Sequence, residues 1–415
     1  MFLYLNHGKQ IKETVDLVEQ KIAPIHKRID EMVLSNQNKV LRSFQANKVS
    51  DSHFNPTTGY GYDDMGRDTL EKVYADVFGG EAALVRPQII SGTHAITIAL
   101  FGILRPGDEL LYITGNPYDT LEEIVGIRGE GDGSLKDFGI SYQAVPLTEQ
   151  GQIDLEAVQS AIKPNTKMIG IQRSKGYAVR PSFTVNEIKE MIDFVKSIKD
   201  DVVVFVDNCY GEFVEEIEPC QVGADLMAGS LIKNPGGGLA KIGGYIVGKE
   251  KYVKSCSYRL TSPGIGAEAG ASLYSLQEMY QGFFLAPHVV GQALKGAVFT
   301  ACFLEQFGMK TEPSWDATRT DLIQSVQFDS TEKMVAFCQA IQYASPINSH
   351  VTPYPSYMPG YEDDVIMAAG TFIQGASLEL TADGPIRPPY VAYVQGGLTY
   401  EHVKLAVCYA MDRVL

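Results

Sequence analysis

A chain of 415 residues with 50 acidic against 35 basic side chains carries a formal charge of −15, which excludes the clustered basic surface that nucleic-acid binding needs. Its hydrophobic content of 45% supports full cores, enough for a large domain and a smaller one. Cys209, Cys220, Cys256, Cys302, Cys338 and Cys408 are scattered without a Cys-x-x-Cys pair, so neither a zinc knuckle nor a disulfide framework is indicated and no metal is expected.

Residues 1–7 lack a basic region ahead of a long apolar run, and no later stretch is apolar enough to span a bilayer, so a cytoplasmic location is expected. Ile11, Val15, Val18 and Ile22 form an amphipathic helical stripe. Pro24 is expected to interrupt it before a second helix running to about Gln45, and residues 1–48 read as an N-terminal helical arm. The turn-rich stretch 55–67 contains Tyr60-Gly61-Tyr62, and Asp68 with Glu71 then opens a helix carrying Leu70, Val73, Tyr74 and Val77. Next, Ile89-Ile90-Ser91-Gly92-Thr93-His94 opens a helix over 95–104. The amides and hydroxyls of Ser91, Gly92 and Thr93 would suit an anion at its positive end, although strand-Gly-helix is common on its own.

Residues 108–113 read as a strand leading to Gly115-Asn116-Pro117-Tyr118-Asp119-Thr120 and a further helix. Strand and helix alternate through 167–174, 185–198 and 201–208, which predicts right-handed βαβ units and a parallel sheet. This large domain covers 49–295. A long amphipathic region over 268–306 connects to a smaller C-terminal α/β domain, 296–415, closed by a helix from about Tyr400.

Two places in the large domain carry chemistry. The run Val202-Val203-Val204-Phe205-Val206 reads as a wholly buried parallel strand ending in Asp207, at a strand's carboxyl end, where open α/β sheets bind ligands. A carboxylate buried there needs a positive partner, and a helix cap or turn is its other reading. Further on, Ser230-Leu231-Ile232-Lys233-Asn234-Pro235-Gly236-Gly237-Gly238 sets a lysine in a tight loop whose glycines allow close backbone approach. Lys233 suits covalent capture of an aldehyde, provided that desolvation or cationic neighbours lower its pKa. Alone, the loop reads more readily as a surface turn with a solvated lysine. Lys241 is the rival amine, but it leads straight into an apolar strand. The glycines are followed by neither Gly-Lys-Ser nor Gly-Lys-Thr, so a Walker loop is excluded, and Gly59-x-Gly61 lacks the third glycine of a dinucleotide site. Residues 259–266 read as a flexible basic loop containing Arg259. In the C-terminal part, Arg387 stands among prolines, and its planar fork suits a substrate carboxylate.

Asp207-Asn208 and Ser230…Lys233 together resemble the ring-binding Asp-Asn pair and the Ser-x-x-Lys segment of fold type I pyridoxal-phosphate enzymes. Within these the chain resembles the cystathionine/methionine lyase group, in particular its branch of aluminium resistance proteins, over roughly residues 50–400. The resemblance implies an aspartate aminotransferase-like α/β fold with pyridoxal 5'-phosphate as cofactor. It makes Lys233 the Schiff-base lysine and proton-abstracting base, Asp207 the partner of the ring nitrogen, and Tyr118 the stacking and catalytic tyrosine. Ser91, Gly92, Thr93 and Ser230 would hold the phosphate. Tyr60-Gly61-Tyr62 stands where the lyases carry a Tyr-x-Arg reaching the neighbouring subunit, which leaves Arg67 to supply an arginine. Gln172-Arg173-Ser174 lies where the lyases have Glu-x-Pro-x-Asn-Pro, with Arg173 and its polar neighbours facing substrate or phosphate, and Arg387 is the candidate for the substrate carboxylate. A homodimer or homotetramer and carbon–sulfur elimination from an amino acid follow from the same likeness. The alternatives are an aminotransferase, another amino-acid lyase, or a protein of this fold that acts by binding without turnover.

Overall fold

The computed structural model describes residues 4–129, 132–178, 180–358 and 361–415; residues 1–3, which head the segment read above for a leader, lie outside the described residues. Helix α1 (Gly8–Ala46) runs unbroken through Pro24, where two helices were expected. Proline removes one N–H and crowds the carbonyl four residues back, a local cost. The stripe Ile11, Val15, Val18, Ile22, Ile29 and Val40 is buried along a partner helix, α8 (Leu276–Glu305), and this packing spans the break. Among the described residues no helix is long and apolar enough to cross a membrane.

Helix α2 (Met65–Phe78) starts on the Asp64 carboxylate, which accepts from Arg67 N at 2.9 Å. The chain then alternates β1 (Ala82–Arg86), α3 (Gly92–Ile103), β2 (Glu109–Tyr112), α4 (Asp119–Val125), β3 (Ser141–Ala144), α5 (Leu155–Ala161), β4 (Thr166–Gln172), α6 (Val185–Ile198), β5 (Val203–Asp207), β6 (Leu226–Ser230) and β7 (Gly244–Gly248). These strands form a seven-stranded sheet in the order β1-β7-β6-β5-β4-β2-β3, with β7 antiparallel to both neighbours and the other pairs parallel.

The unbroken apolar run of β5 has a direct cause. Side chains alternate across a strand, so Val203 and Phe205 pack with Ala95, Ile98 and Ala99 of α3, while Val204 and Val206 pack with Ile188, Ile192 and Val195 of α6. Both faces are covered, and each such side chain contributes about 1.5–3 kcal/mol by leaving water. Only the strand's end can carry a functional polar group.

Helix α7 (Glu250–Leu260) follows β7 and includes Arg259, which corrects the basic loop expected there: the guanidinium lies over the Phe101 ring, 5.0 Å from its centre. After α8 comes an antiparallel sheet of β8 (Lys310–Glu312), β9 (Ile323–Gln327), β10 (Val365–Ala368), β11 (Thr381–Pro385) and β12 (Val391–Gln395), ordered β10-β11-β12-β9-β8. Helices α9 (Thr331–Tyr343) and α10 (Tyr400–Val414) complete this part.

Candidate active site

The carboxyl ends of β4, β5 and β6 open into a cavity of about 240 Å³. Ser91, Gly92, Thr93, Tyr118, Asp207, Ser230 and Lys233, from four separate segments of the chain, all line it. Parallel pairing makes this convergence: β4, β5 and β6 end side by side, with Gln172 opposite Asp207 and Asp207 opposite Ala228.

Asp207 lies at the bottom of the cavity, buried, with Oδ1 accepting from Cys209 N at 3.2 Å. Burial raises its pKa, while the Cys209 backbone N–H and the charges of Lys233 and Arg180 pull it back down. A buried carboxylate that faces a cavity without a contacting cation is the arrangement that a cationic ring nitrogen would complete. At the other side, α3 begins at Ser91, whose Oγ accepts from His94 N at 3.1 Å. The amides of Gly92 and Thr93 belong to the first helical turn, which has no intrahelical acceptors. Gly92 is also pressed close: a Cβ there would come within 3.3 Å of both Cys209 Sγ and Ser230 Cβ. This cradle suits a phosphate.

Lys233 stands three residues beyond the last residue of β6, with its Nζ 3.9 Å from the centre of the Tyr210 ring. Burial works to discharge the ammonium, but Tyr210, Cys209, Asp207 and Glu212 outweigh it and hold Lys233 above the ordinary lysine value. The lowered pKa expected from sequence is therefore not a property of this cavity as it stands, because among the described residues its lining contains no second cation. Lys241, the rival, is largely exposed and pairs with Glu278.

Tyr118 presents its ring to the cavity and shares a hydrogen bond through its hydroxyl with the Tyr361 hydroxyl. Gly176, at φ +55°, makes room for that ring, since a Cβ there would lie 2.9 Å from Tyr118 Cδ2.

Five predicted positions lie elsewhere. Arg173 is fully buried on the far side of its strand end from the cavity. It donates to Asn208 Oδ1 at 2.8 Å, Glu215 Oε1 at 2.8 Å and Thr320 Oγ1 at 3.2 Å, with Glu218 Oε2 at 3.5 Å. The cause is strand alternation: Gln172 and Ser174 take the cavity side, so Arg173 turns away. Arg173→Met would strand Glu218, itself fully buried, and is expected to destabilise the fold by about 3–5 kcal/mol in urea unfolding; a loss under about 1 kcal/mol would refute this account of the cluster.

Arg387 pairs with Asp363 Oδ2 at 2.9 Å beside a separate cavity of about 140 Å³. It sits in the turn after β11 and does not line the cavity of Lys233, although Tyr177 lines both cavities. Tyr60 and Tyr62 stack on each other with ring centres 5.4 Å apart and are exposed, 70% and 56%. Arg67, the substitute arginine, is buried and holds backbone instead, donating to Gly61 O at 2.6 Å and Gly270 O at 3.1 Å.

Other lining groups escaped the sequence reading. Tyr210, at φ +67°, donates its hydroxyl proton to Ala376 O at 3.1 Å, and Tyr177 and Gln395 add polar groups, whereas Gln172 and Ser174 belong to the polar segment already read from the sequence. The available signal for Tyr210 was its place three residues after Asp207; Gln395 had only its position just ahead of Gly396-Gly397.

A model of the methionine gamma-lyase family matches residues 11–415. The chain belongs to that family. It is 74% identical to an uncharacterized protein of Bacillus subtilis, over all of this chain and 99% of that one. A solved structure from Bacillus cereus is 78% identical with a TM-score of 0.96, covering 98% of this chain and 100% of its own. A carbon-sulfur lyase involved in aluminum resistance, from Clostridium novyi NT, is 46% identical with a TM-score of 0.95, covering 99% of this chain and 97% of its own. Membership in the methionine gamma-lyase family carries the fold type I architecture and implies pyridoxal phosphate as the cofactor. The Asp207 carboxylate and the Gly92 cradle fit that group.

Proposed function

We propose that the protein is a pyridoxal-phosphate-dependent carbon–sulfur lyase acting on a sulfur amino acid, by β- or γ-elimination. The observation that carries this reading is the convergence of Lys233, Asp207 and the Ser91–Thr93 helix start on one cavity. When bound, the cofactor supplies an electron sink for the carbanion formed at the substrate's α-carbon. The chain's own groups then have distinct tasks. Gly92, Thr93 and Ser230 would bind the phosphate, and Tyr118 would cover the ring. Asp207 would keep the ring nitrogen protonated. With Asp207 committed to that cation, one of the groups that hold the Lys233 ammonium is offset, and Lys233 Nζ would be the group that accepts the α-proton.

Incubating the cofactor-loaded protein with S-alkyl-L-cysteines and L-methionine is expected to release thiol, ammonia and an α-keto acid in equal amounts. An amino-group acceptor requirement without thiol release would instead mean an aminotransferase, and no product from any sulfur amino acid would remove the lyase reading.

A further inference from the structure

The turn after β5 holds Tyr210 in a conformation that an L side chain rarely adopts. Gly211 N donates to Asn208 O at 2.9 Å and closes the turn, and Tyr210 sits within it at φ +67°, where glycine is the ordinary residue. Such a position persists only where its surroundings fix it, and these do so from two sides. Behind the turn, the Asn208 side chain accepts from Arg173 at 2.8 Å and donates to Glu218 at 3.0 Å. In front, the Tyr210 hydroxyl donates to Ala376 O at 3.1 Å.

Ala376 belongs to a strap between β10 and β11 that is itself tied down. The buried Glu379 carboxylate accepts from the amides of Phe372 and Ile373, both at 2.8 Å, and Leu378 N donates to Ile232 O at 3.1 Å, next to Lys233. Turn and strap together set the Tyr210 ring against Lys233 Nζ, which lies 3.9 Å from the ring centre. The face of an aromatic ring attracts an ammonium, and more strongly where water is scarce.

The formal anions around Nζ are fewer than the titratable groups suggest. Burial pushes the Glu212 carboxyl up to about 8, against the pull of the Tyr245 hydroxyl that donates to it at 2.6 Å, so it is mostly protonated at neutral pH. Burial likewise keeps the Cys209 thiol protonated. Asp383 of β11 stands behind two lining residues, with Oδ1 accepting the Tyr177 hydroxyl proton at 2.6 Å and Oδ2 accepting from Gln395 Nε2 at 3.2 Å. Asp207 would serve the ring nitrogen. The group left in contact with the charge is the Tyr210 ring.

We propose that Tyr210 is a further catalytic residue, whose ring seats the Lys233 ammonium formed when Nζ takes the substrate's α-proton. The electron pair of the broken C–H bond stays on the α-carbon, and the proton stays on Nζ against the ring face. The proposal rests on the reading of Lys233 as the α-proton acceptor, and not on which bond to sulfur is cleaved.

Two measurements on Tyr210→Leu should move in opposite directions. The first is capture of pyridoxal phosphate by the full chain freed of cofactor, followed as the first-order rate at saturating cofactor. Capture needs the neutral amine and is expected to be about tenfold faster at neutral pH, because an ammonium without its seat gives up its proton more readily. The second is exchange of the L-methionine α-proton with solvent in the loaded protein, expected to be at least about threefold slower because Nζ is then a weaker base. Tyr210→Phe keeps the ring face and should stay within about twofold of wild type in both. Damage to the site would slow both rates, so the opposed signs separate the seat from a structural role. Capture no faster in Tyr210→Leu overturns the proposal, as does a Tyr210→Phe variant that matches Tyr210→Leu, since the role would then belong to the hydroxyl bond with the strap. Tyr210→Met carries the test if the leucine variant does not fold. Faster capture with unchanged exchange would overturn the reading of Lys233 as proton acceptor, and the proposal with it. Thiol release is not read, so the carbon–sulfur lyase assignment stands or falls separately.

Discussion

Lys233→Ala is expected to abolish borohydride-trapped labelling of the protein by pyridoxal phosphate, whereas Lys241→Ala should label as wild type does. The difference is all-or-none because only one of the two amines faces the cavity. Lys233 shares it with Asp207, while the Lys241 side chain is 74% exposed and engaged with Glu278. A reduced label recovered on the Lys241 peptide would overturn the assignment. The same variant reports on assembly. We propose that the working unit is at least a homodimer in which the exposed Tyr60–Tyr62 stack completes the neighbour's site, since two solvent-facing aromatics on a glycine-rich loop have little to pack against within one chain. Mixing Lys233→Ala chains with chains inactivated at Tyr62 should then restore activity, because a mixed dimer holds one site free of both defects. Absence of recovery after verified subunit exchange would mean a site built within one chain.

The sequence was legible wherever a local pattern and the tertiary requirement agreed. The β5 run is apolar on both faces because helices cover both, and that signal survives in a single sequence. Helix α6 was readable to its ends because Thr184 and Glu187 form a capping box at its start. Pro24 misled because the packing of α1 along α8 is invisible to local rules. The arginines failed for a related reason. Residue type says that Arg173 and Arg387 can bind a carboxylate, but not that Glu215, Glu218 and Asp363 already do. Direction at a strand end is equally hidden: one residue separates Gln172 in the cavity from Arg173 behind it. Asp383 and Gln395 had no motif at all, since they meet Tyr177 only through the β11–β12 pairing and a contact across more than 200 residues.

Asp207→Asn separates what the fold requires from what the chemistry requires. In the protein without cofactor, the carboxylate is buried and accepts from the Cys209 backbone N–H, and burial raises its pKa, so its charge is a burden on the native state rather than a support. The isosteric amide removes that burden and can still accept from Cys209 N. Thermal stability without cofactor is therefore expected to stay level or rise. With cofactor the sign reverses. A neutral amide cannot hold a ring nitrogen protonated, so the carbanion at the α-carbon loses its sink and Lys233 Nζ has a less acidic proton to remove. Exchange of the substrate α-proton with solvent should fall by well over tenfold, which is about 1.4 kcal/mol of barrier, while some cofactor is retained. Nuclear magnetic resonance of the α-proton signal in deuterated solvent measures this without requiring carbon–sulfur cleavage. Exchange within about tenfold of wild type would show that Asp207 does not serve the ring nitrogen, and a large fall in stability without cofactor would show that the carboxylate belongs to the fold instead.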